Sequence, residues 1–444
     1  MSTWTGQHVY VMGLGRFGGG VGVSRYLARQ GARVTVGDSG DPSQLNASIR
    51  SLHDLIDSGA VSLALGEHDT EDLQGIDALV VNPAVPRPWA NPFIQHARSN
   101  RIRTTTEIEI AYRLLDSSRV IAVTGSAGKS TTSAMIHHGL IELGHTSTLG
   151  GNIGGSLLGD CDQSGFVILE LSSAMLHWLG ESGVLQDSPP LAACVTNCLP
   201  NHLDWHGDES HYTQSKRLLA RTVSPCGHLI LGQQVQDWDL GAGTSSVRVI
   251  RDSDALVGCT VPGRHNGINA AMASSAIDAV LQSGTNTHQI HDAIRSFSGL
   301  PHRLQLVHEG QSVRFYNDSK CTVPGATQLA VDAISGLVDH SKIHLIAGGY
   351  DKGSDLSSVS DLAPSLAGLY AIGDTGRGLV DSGGDRALYC GDLENAMKAI
   401  ASRLSEGDVV LLSPACASWD QFSNYEERGD RFTELAKVMH GERV

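Results

Sequence analysis

Short apolar runs recur along the chain, and most end on a glycine, an amide, a hydroxyl or a carboxylate before a helix-length segment begins. Residues 8–12 (HVYVM), 33–36, 78–81, 120–122, 166–169 and 192–195 read as strands in the first half. Residues 313–316, 343–347, 369–372 and 409–412 read as strands in the last third. Their alternation with helix-length segments predicts an α/β fold built on largely parallel sheets. In such folds ligand chemistry gathers at the carboxyl ends of the strands.

The most informative strand end is residues 123–132, VTGSAGKSTT. A strand runs into a Gly-rich turn, and a helix then opens on Lys129. Backbone N–H groups at such a turn point outward, and the helix dipole favours negative charge beside them. Lys129 adds a point charge and Ser130 a hydroxyl for Mg2+, so the pattern predicts a nucleoside-triphosphate site. The spacing departs from G-x-x-x-x-G-K-[ST]. Val123 takes the place of the outer glycine, leaving T-G-x-x-G-K-S with Gly125 and Gly128. The competing reading is an ordinary strand-to-helix turn with a solvated lysine.

Other strand ends carry candidate chemistry. Gly13-Leu-Gly-Arg-Phe-Gly18 follows the first strand, with Asp38 about 20 residues beyond it, which by pattern is either an NAD site or a bare Rossmann-like scaffold. Residues 82–86 (NPAVP) form a loop able to face a ligand. Glu170 stands where a carboxylate holds Mg2+ in other phosphate-loop proteins, or where it caps a helix. Thr196, Asn197, Asn201, His202 and Asp204 follow the strand at 192–195. Asn266 and Asn269 share one helix face, suited to a base or ribose, or to capping. The last third ends its strands on Asn317-Asp-Ser-Lys320, on Gly348 to Gly353, on Gly373-Asp-Thr375 and on Ser413-Pro-Ala415.

Composition narrows the class. A length of 444 residues suggests roughly two to four domains. The formal net charge of −15 argues against a general nucleic-acid surface, while one anionic ligand at a local lysine remains compatible. With 51 glycines and only 18% charged residues, the chain suits an α/β protein with many turns rather than a disordered acidic one. The eight cysteines are scattered, and reduced thiols of a cytoplasmic protein are the expectation. The N-terminal residues lack a basic start and a cleavage site, so no signal peptide is expected. No apolar stretch approaches 18 residues, so no membrane span is expected.

Together these motifs resemble the Mur ligase family of peptidoglycan synthesis, and within it the branch that adds D-glutamate. The resemblance spans nearly the whole chain. Its most specific piece is residues 412–429, LSPACASWDQFSNYEERG, supported by Asn317-Asp-Ser-Lys320, Pro301-His-Arg303 and Leu169-Glu-Leu-Ser-Ser173. The shortened phosphate loop is the family's own form. The resemblance implies three α/β domains: an N-terminal Rossmann-like domain for the UDP-sugar (1–114), a central P-loop ATPase-like domain with a mostly parallel sheet (115–298) and a C-terminal, doubly wound, Rossmann-like domain for the amino acid (299–444). The Gly13 turn then holds UDP and not NAD.

The same resemblance implies ATP, one or two Mg2+ ions, and UDP-N-acetylmuramoyl-L-alanine and D-glutamate as substrates, acting on a cytoplasmic monomer with no nucleic-acid partner. Gly125, Ser126, Ala127, Gly128, Lys129, Ser130 and Thr131 would bind ATP together with Asn269, Arg303 and Asp318. Lys129, Lys216 and His202 would be catalytic, and Ser130, Glu170, His202 and a carbamylated Lys216 would hold the metal. A free ammonium repels Mg2+, whereas a carbamate gives a hard cation oxygen donors. Leu14, Arg16, Asp38, Asn152 and Ser173 would meet the UDP-sugar, and Lys320, Thr322, Lys352, Ser418 and Tyr425 the D-glutamate.

Several positions depart from the branch. Asn201 replaces an Asp, Ala174 to His177 replaces Phe-Gln-Leu-Glu, Arg16-Phe17 replaces a small-hydroxyl version, Tyr425 replaces Phe and Val323 replaces Asn. They bear on sugar, metal and substrate geometry, and they leave Lys129, Glu170, His202 and Lys216 in place. The alternatives are a family member adding another amino acid, a nucleotide-dependent switch without ligation, and an NAD oxidoreductase built on the Gly13 turn.

Overall fold

The computed structural model describes residues 4–15, 18–153, 156–159, 164–224, 227–240, 246–281, 286–310 and 312–439. Three sheets organise them. The first contains β1 (His8–Met12), β2 (Arg33–Asp38), β3 (Val61–Leu65), β4 (Ala78–Val81) and β5 (Arg103–Thr105) in the order β3-β2-β1-β4-β5. All its pairings are parallel, and the order is that of a dinucleotide-type fold without its sixth strand. Val9, Val11, Val34, Val36 and Val80 pack in one core and Tyr10, Met12, Leu79 and Val81 in another. Successive side chains of a strand point to opposite faces, so an unbroken apolar run is what a sheet covered on both faces requires.

The second sheet contains β6 (Val120–Thr124), β7 (Ser147–Gly151), β8 (Phe166–Glu170), β9 (Ala192–Val195), β10 (His228–Gly232) and β11 (Ser246–Ile250), again all parallel, in the order β11-β10-β9-β6-β8-β7. Val123 pairs with Glu170 and Thr124 with Val195, so the strand ends flanking the Gly-rich turn are level with it. The chain leaves β6 towards one side of the sheet and β9 towards the other. That reversal is the topological switch point at which open α/β sheets bind ligands.

The third sheet contains β12 (Gln305–Gly310), β13 (Val313–Asn317), β14 (Ile343–Gly348), β15 (Gly368–Ile372), β16 (Ala387–Gly391) and β17 (Val409–Leu412), ordered β12-β13-β17-β14-β15-β16. Only β12 runs antiparallel. Residues 1–254 and 271–290 pack as one compact unit, which holds the first two sheets, and residues 255–270 and 291–444 as another.

The strands named from the sequence are the inner ones save β10, whose apolar run Leu229–Leu231 fits the same pattern, and none of the six edge strands. Edge strands keep one flank in solvent and need no continuous apolar run: β7 reads STLGG, and β11 exposes Ser246, Val247 and Arg248. Among the described residues no helix is long and apolar enough to cross a membrane.

Candidate active site

The turn after β6 is held by conformations that favour glycine. Gly125 has φ 150°, and a Cβ there would sit 1.9 Å from the Thr196 hydroxyl. Gly128, at φ 83°, caps the helix Lys129–Glu142. Asn197, just beyond β9, reaches across to the turn. Its Oδ1 accepts from the Ser126 and Ala127 N–H groups at 3.1 and 2.9 Å, and its Nδ2 donates to the Ala127 carbonyl at 3.1 Å. The Thr196 hydroxyl donates to that same carbonyl at 2.6 Å. The Lys129 ammonium folds back to donate to the Ser126 carbonyl at 3.2 Å.

Lys216 comes to the same turn from the helix Glu209–Arg221. It is 2% exposed, and its Nζ donates to the Gly125 carbonyl at 2.8 Å. Burial first, then the charge of Lys129, lowers its pKa from 10.5 to about 7. An amine so placed is neutral for much of its time near neutral pH, the form a CO2 molecule can carbamylate.

Glu170 ends β8 and is 1% exposed. Its Oε1 accepts from Asn152 Nδ2 at 2.7 Å, and the Asn152 N–H bonds the Glu170 carbonyl at 2.8 Å. The other oxygen, Oε2, is buried with no hydrogen-bond partner among the described residues. A buried carboxylate oxygen left so is costly, and a hard cation is a fitting partner for it. Among the described residues no group of three or more His, Cys, Asp or Glu forms a metal cage. A cation here would therefore draw on few protein ligands, the usual case for Mg2+ shared with phosphates.

His202 is exposed and sits in a left-handed conformation, φ 50° and ψ 38°, where the chain enters the short helix Leu203–His206. Its ring lies 6.5 Å from that of Tyr212, whose hydroxyl is 2.7 Å from Ser126 Oγ. Lys129 and His202 are thus linked through Ser126 and Tyr212 at the carboxyl end of the sheet. The next turn is anchored to the loop after β4: the Trp205 indole donates to the Pro83 carbonyl at 3.0 Å, the Arg87 N–H to the Trp205 carbonyl at 3.1 Å and Arg87 Nε to the Asp204 carbonyl at 3.1 Å.

Ser173 is buried, with its hydroxyl 2.9 Å from His206 Nε2. His206 also meets His211 at 2.8 Å. Burial, then the neighbouring imidazoles, lowers the pKa of His206 to about 3, so this histidine is neutral at ordinary pH. His177, one of the departures from the D-glutamate branch, packs its ring against Trp89, Trp205 and His211.

At the Gly13 turn, Asp38 accepts from the Gly15 N–H at 2.9 Å and the Gly40 N–H at 2.7 Å. Leu14 is fully buried, main chain and side chain alike. Arg16 lies outside the described residues.

The second unit gathers the remaining candidates. Asn269 is buried and donates to Asn266 at 3.4 Å. Asp318 accepts from the Leu304 N–H at 3.1 Å and the Ser413 hydroxyl at 2.8 Å. Burial pushes its pKa up to about 6 against the opposing pull of those donors and of Arg303. Lys320 lies 5.1 Å from the centre of the Tyr425 ring and Lys352 4.4 Å from that of Trp419, both within cation–π range. Thr322 and Lys352 line one small pocket with Tyr350, Asp351, Thr375 and Cys416, and Ser418 is buried close by in the chain. Arg428 has no role legible in the sequence pattern; it is 1% exposed and donates to the Ser319 hydroxyl and carbonyl and to the Cys416 and Ala417 carbonyls at 2.9–3.2 Å. It pins the segments carrying Lys320 and Ser418 to the helix Tyr425–Met439. Asn197 and Tyr212 were likewise without a role, because their contacts join residues some 70 to 86 positions apart.

A Gly-rich strand-to-helix turn with two lysines and a strand-end carboxylate, on a parallel sheet beside a Rossmann-like one, is the architecture of a nucleotide-using α/β protein. Residues 7–106 match the family model for the Mur ligase MurD-like N-terminal domain, 123–255 the Mur ligase middle domain and 302–416 the Mur ligase glutamate ligase domain. The chain belongs to the Mur ligase family. A UDP-N-acetylmuramoylalanine–D-glutamate ligase of Streptococcus sanguinis (strain SK36) is 32% identical over an alignment of 474 positions, gaps included, covering 99% of each chain. One of the same name from Streptococcus pneumoniae serotype 2 (strain D39 / NCTC 7466) is 34% identical over 468, covering 98% of each. The crystal structure of a UDP-N-acetylmuramate–alanine ligase from Thermotoga maritima shares the fold at TM-score 0.59 and 18% identity, covering 97% of this chain and 99% of that one.

Proposed function

We propose that the protein ligates D-glutamate to UDP-N-acetylmuramoyl-L-alanine, driven by ATP, in cytoplasmic synthesis of peptidoglycan precursors. The observation that carries this reading is the end-to-end similarity to D-glutamate ligases at 32–34% identity. The phosphate turn, with Lys129 and Lys216 converging on its carbonyls, supports the ATP-dependent part.

On this reading the N-terminal domain (1–114) takes the UDP-sugar through Leu14 and Asp38, with Arg16 a further candidate, and Asn152 and Ser173 of the central domain complete its contacts. The central domain (115–298) takes ATP at residues 125–131, with Asn269, Arg303 and Asp318 as further contacts. The C-terminal domain (299–444) takes D-glutamate through Lys320, Thr322, Lys352, Ser418 and Tyr425, and the chain works as a monomer. Mg2+, held by Ser130, Glu170, His202 and Lys216 as its carbamate, supplies positive charge against the phosphates when bound.

The alanyl carboxylate attacks the γ-phosphoryl group, ADP leaves, and an acyl phosphate forms. Lys129 and the turn's N–H groups stabilise the transferring group. The amine of D-glutamate then attacks the acyl carbon, loses a proton, and phosphate departs from the tetrahedral intermediate with one oxygen of the original carboxylate.

The test is phosphate release by the purified protein with MgATP and the UDP-sugar donor, comparing D-Glu, L-Glu, L-Lys, meso-diaminopimelate and L-Ala. Release should require the donor and be largest with D-Glu. Release that ignores the amino acid contradicts the reading.

A further inference from the structure

The phosphate turn offers a row of backbone N–H groups, yet those of Ser126 and Ala127 already have an acceptor, Asn197 Oδ1. The Asn197 amide cannot be reversed without facing its NH2 group towards two donors, so the orientation is fixed by its partners. The Ser126 N–H also bonds the Asn197 main-chain carbonyl at 3.1 Å. The first half of the turn is therefore stitched to the end of β9. The second half, at the N-terminus of the helix Lys129–Glu142, carries the N–H groups that a helix start leaves without intrahelical acceptors.

The stitched half also carries the acceptors for both lysines. Lys129 Nζ donates to the Ser126 carbonyl and Lys216 Nζ to the neighbouring Gly125 carbonyl. Whatever fixes Ser126 and Ala127 fixes the positions from which the two ammonium groups start.

We infer that Asn197 is a positioning residue for ATP: it ties down the Ser126–Ala127 half of the turn, leaves phosphate binding to the helix-start half from Gly128 onward, and sets the spacing of Lys129 and Lys216. This rests on the ATP-site reading above and refines it, since Ser126 and Ala127 then shape the turn and do not donate to phosphate. Without Asn197 the turn must be ordered when ATP arrives, and that ordering weakens binding.

The experiment measures steady-state constants for Asn197→Ala beside the parent, with affinity for ATP and for the UDP-sugar donor measured separately by calorimetry. KM and Kd for ATP should rise roughly ten- to thirty-fold: of the three side-chain bonds lost, the Ser126 N–H keeps the Asn197 main-chain carbonyl, which leaves two ordinary hydrogen bonds to carry the effect. KM for D-glutamate and Kd for the donor should stay within about twofold. A role in folding alone lowers kcat through the active fraction and leaves the Kd for ATP unchanged. If Asn197→Ala does not fold, Asn197→Ser takes its place: it stays polar and uncharged, is one bond too short to bridge the Ser126 and Ala127 N–H groups, and carries the same expectation. ATP affinity within twofold of the parent in a folded variant overturns the inference. A parent that binds no ATP overturns the site reading itself, so the two failures are told apart.

Discussion

Replacing Lys216 by methionine separates what this residue does for the fold from what it does for the reaction. The amine is 2% exposed, and its pKa falls from 10.5 to about 7 chiefly because burial disfavours the ammonium. Below pH 7 the native and unfolded chains both hold the proton, and the full cost of burying the charge is present. Between pH 7 and 10.5 the unfolded chain keeps the proton while the native one gives it up, so stability of the parent climbs with pH. The gap amounts to about 5 kcal/mol at 1.36 kcal/mol per pH unit. Methionine removes that cost, but it also loses the bond to the Gly125 carbonyl, worth about 2 kcal/mol for a charged donor. Lys216→Met should therefore be about 3 kcal/mol more stable than the parent at pH 6.5. Its advantage should shrink by roughly 2.5 kcal/mol between pH 7.5 and 9.5. Titrating groups that do not interact with Lys216 cancel in the difference; Lys129, Cys198 and Glu170 do interact with it, and the comparison carries their response. The assay is urea unfolding followed by tryptophan fluorescence in bicarbonate-free buffer, since Trp178 and Trp205 lie in the same compact unit. Turnover should drop on the order of 10²-fold or more. A stability difference that is flat from pH 7 to 9.5, or a methionine variant less stable at pH 6.5, refutes the reasoning.

Two further variants probe the rest of the site. Lys129→Ala should lower turnover on the order of 10²- to 10³-fold with little loss of stability, as expected for one preorganised donor to a transferring group, and near-normal turnover in a steady-state assay removes it from the mechanism. Arg428→Met leaves the Ser319, Cys416 and Ala417 carbonyls without their shared donor, and should cost about 3 kcal/mol in thermal unfolding while raising KM for D-glutamate more than KM for ATP.

The parts of the structure that are local in sequence were legible in it. The run from Val120 to Ser130 contains strand, turn and helix start within a dozen residues, and Glu170 follows its own apolar strand directly. Sheet order was not legible, because β6 lies between β8 and β9 through pairings that no local pattern encodes. The edge strands escaped because half-exposed strands such as β7 need no apolar run. Asn197, at a strand end, and Arg428, inside the C-terminal motif, were visible in the sequence, but their roles were not. Each is an unremarkable polar residue whose importance lies in donors and acceptors some 70 and 109 positions away. Ser173 shows the converse: its place in a motif pointed to substrate, and its hydroxyl is engaged by His206.

The central claim is that the triphosphate and the alanyl carboxylate react with one another at the turn carrying Lys129. The most direct measurement uses UDP-N-acetylmuramoyl-L-alanine with both carboxylate oxygens replaced by ¹⁸O, and follows the label by mass spectrometry as D-glutamate is added. One ¹⁸O atom should appear in each phosphate released and one should remain in the new amide. Phosphate free of label, formed alongside the amide product, would contradict the account.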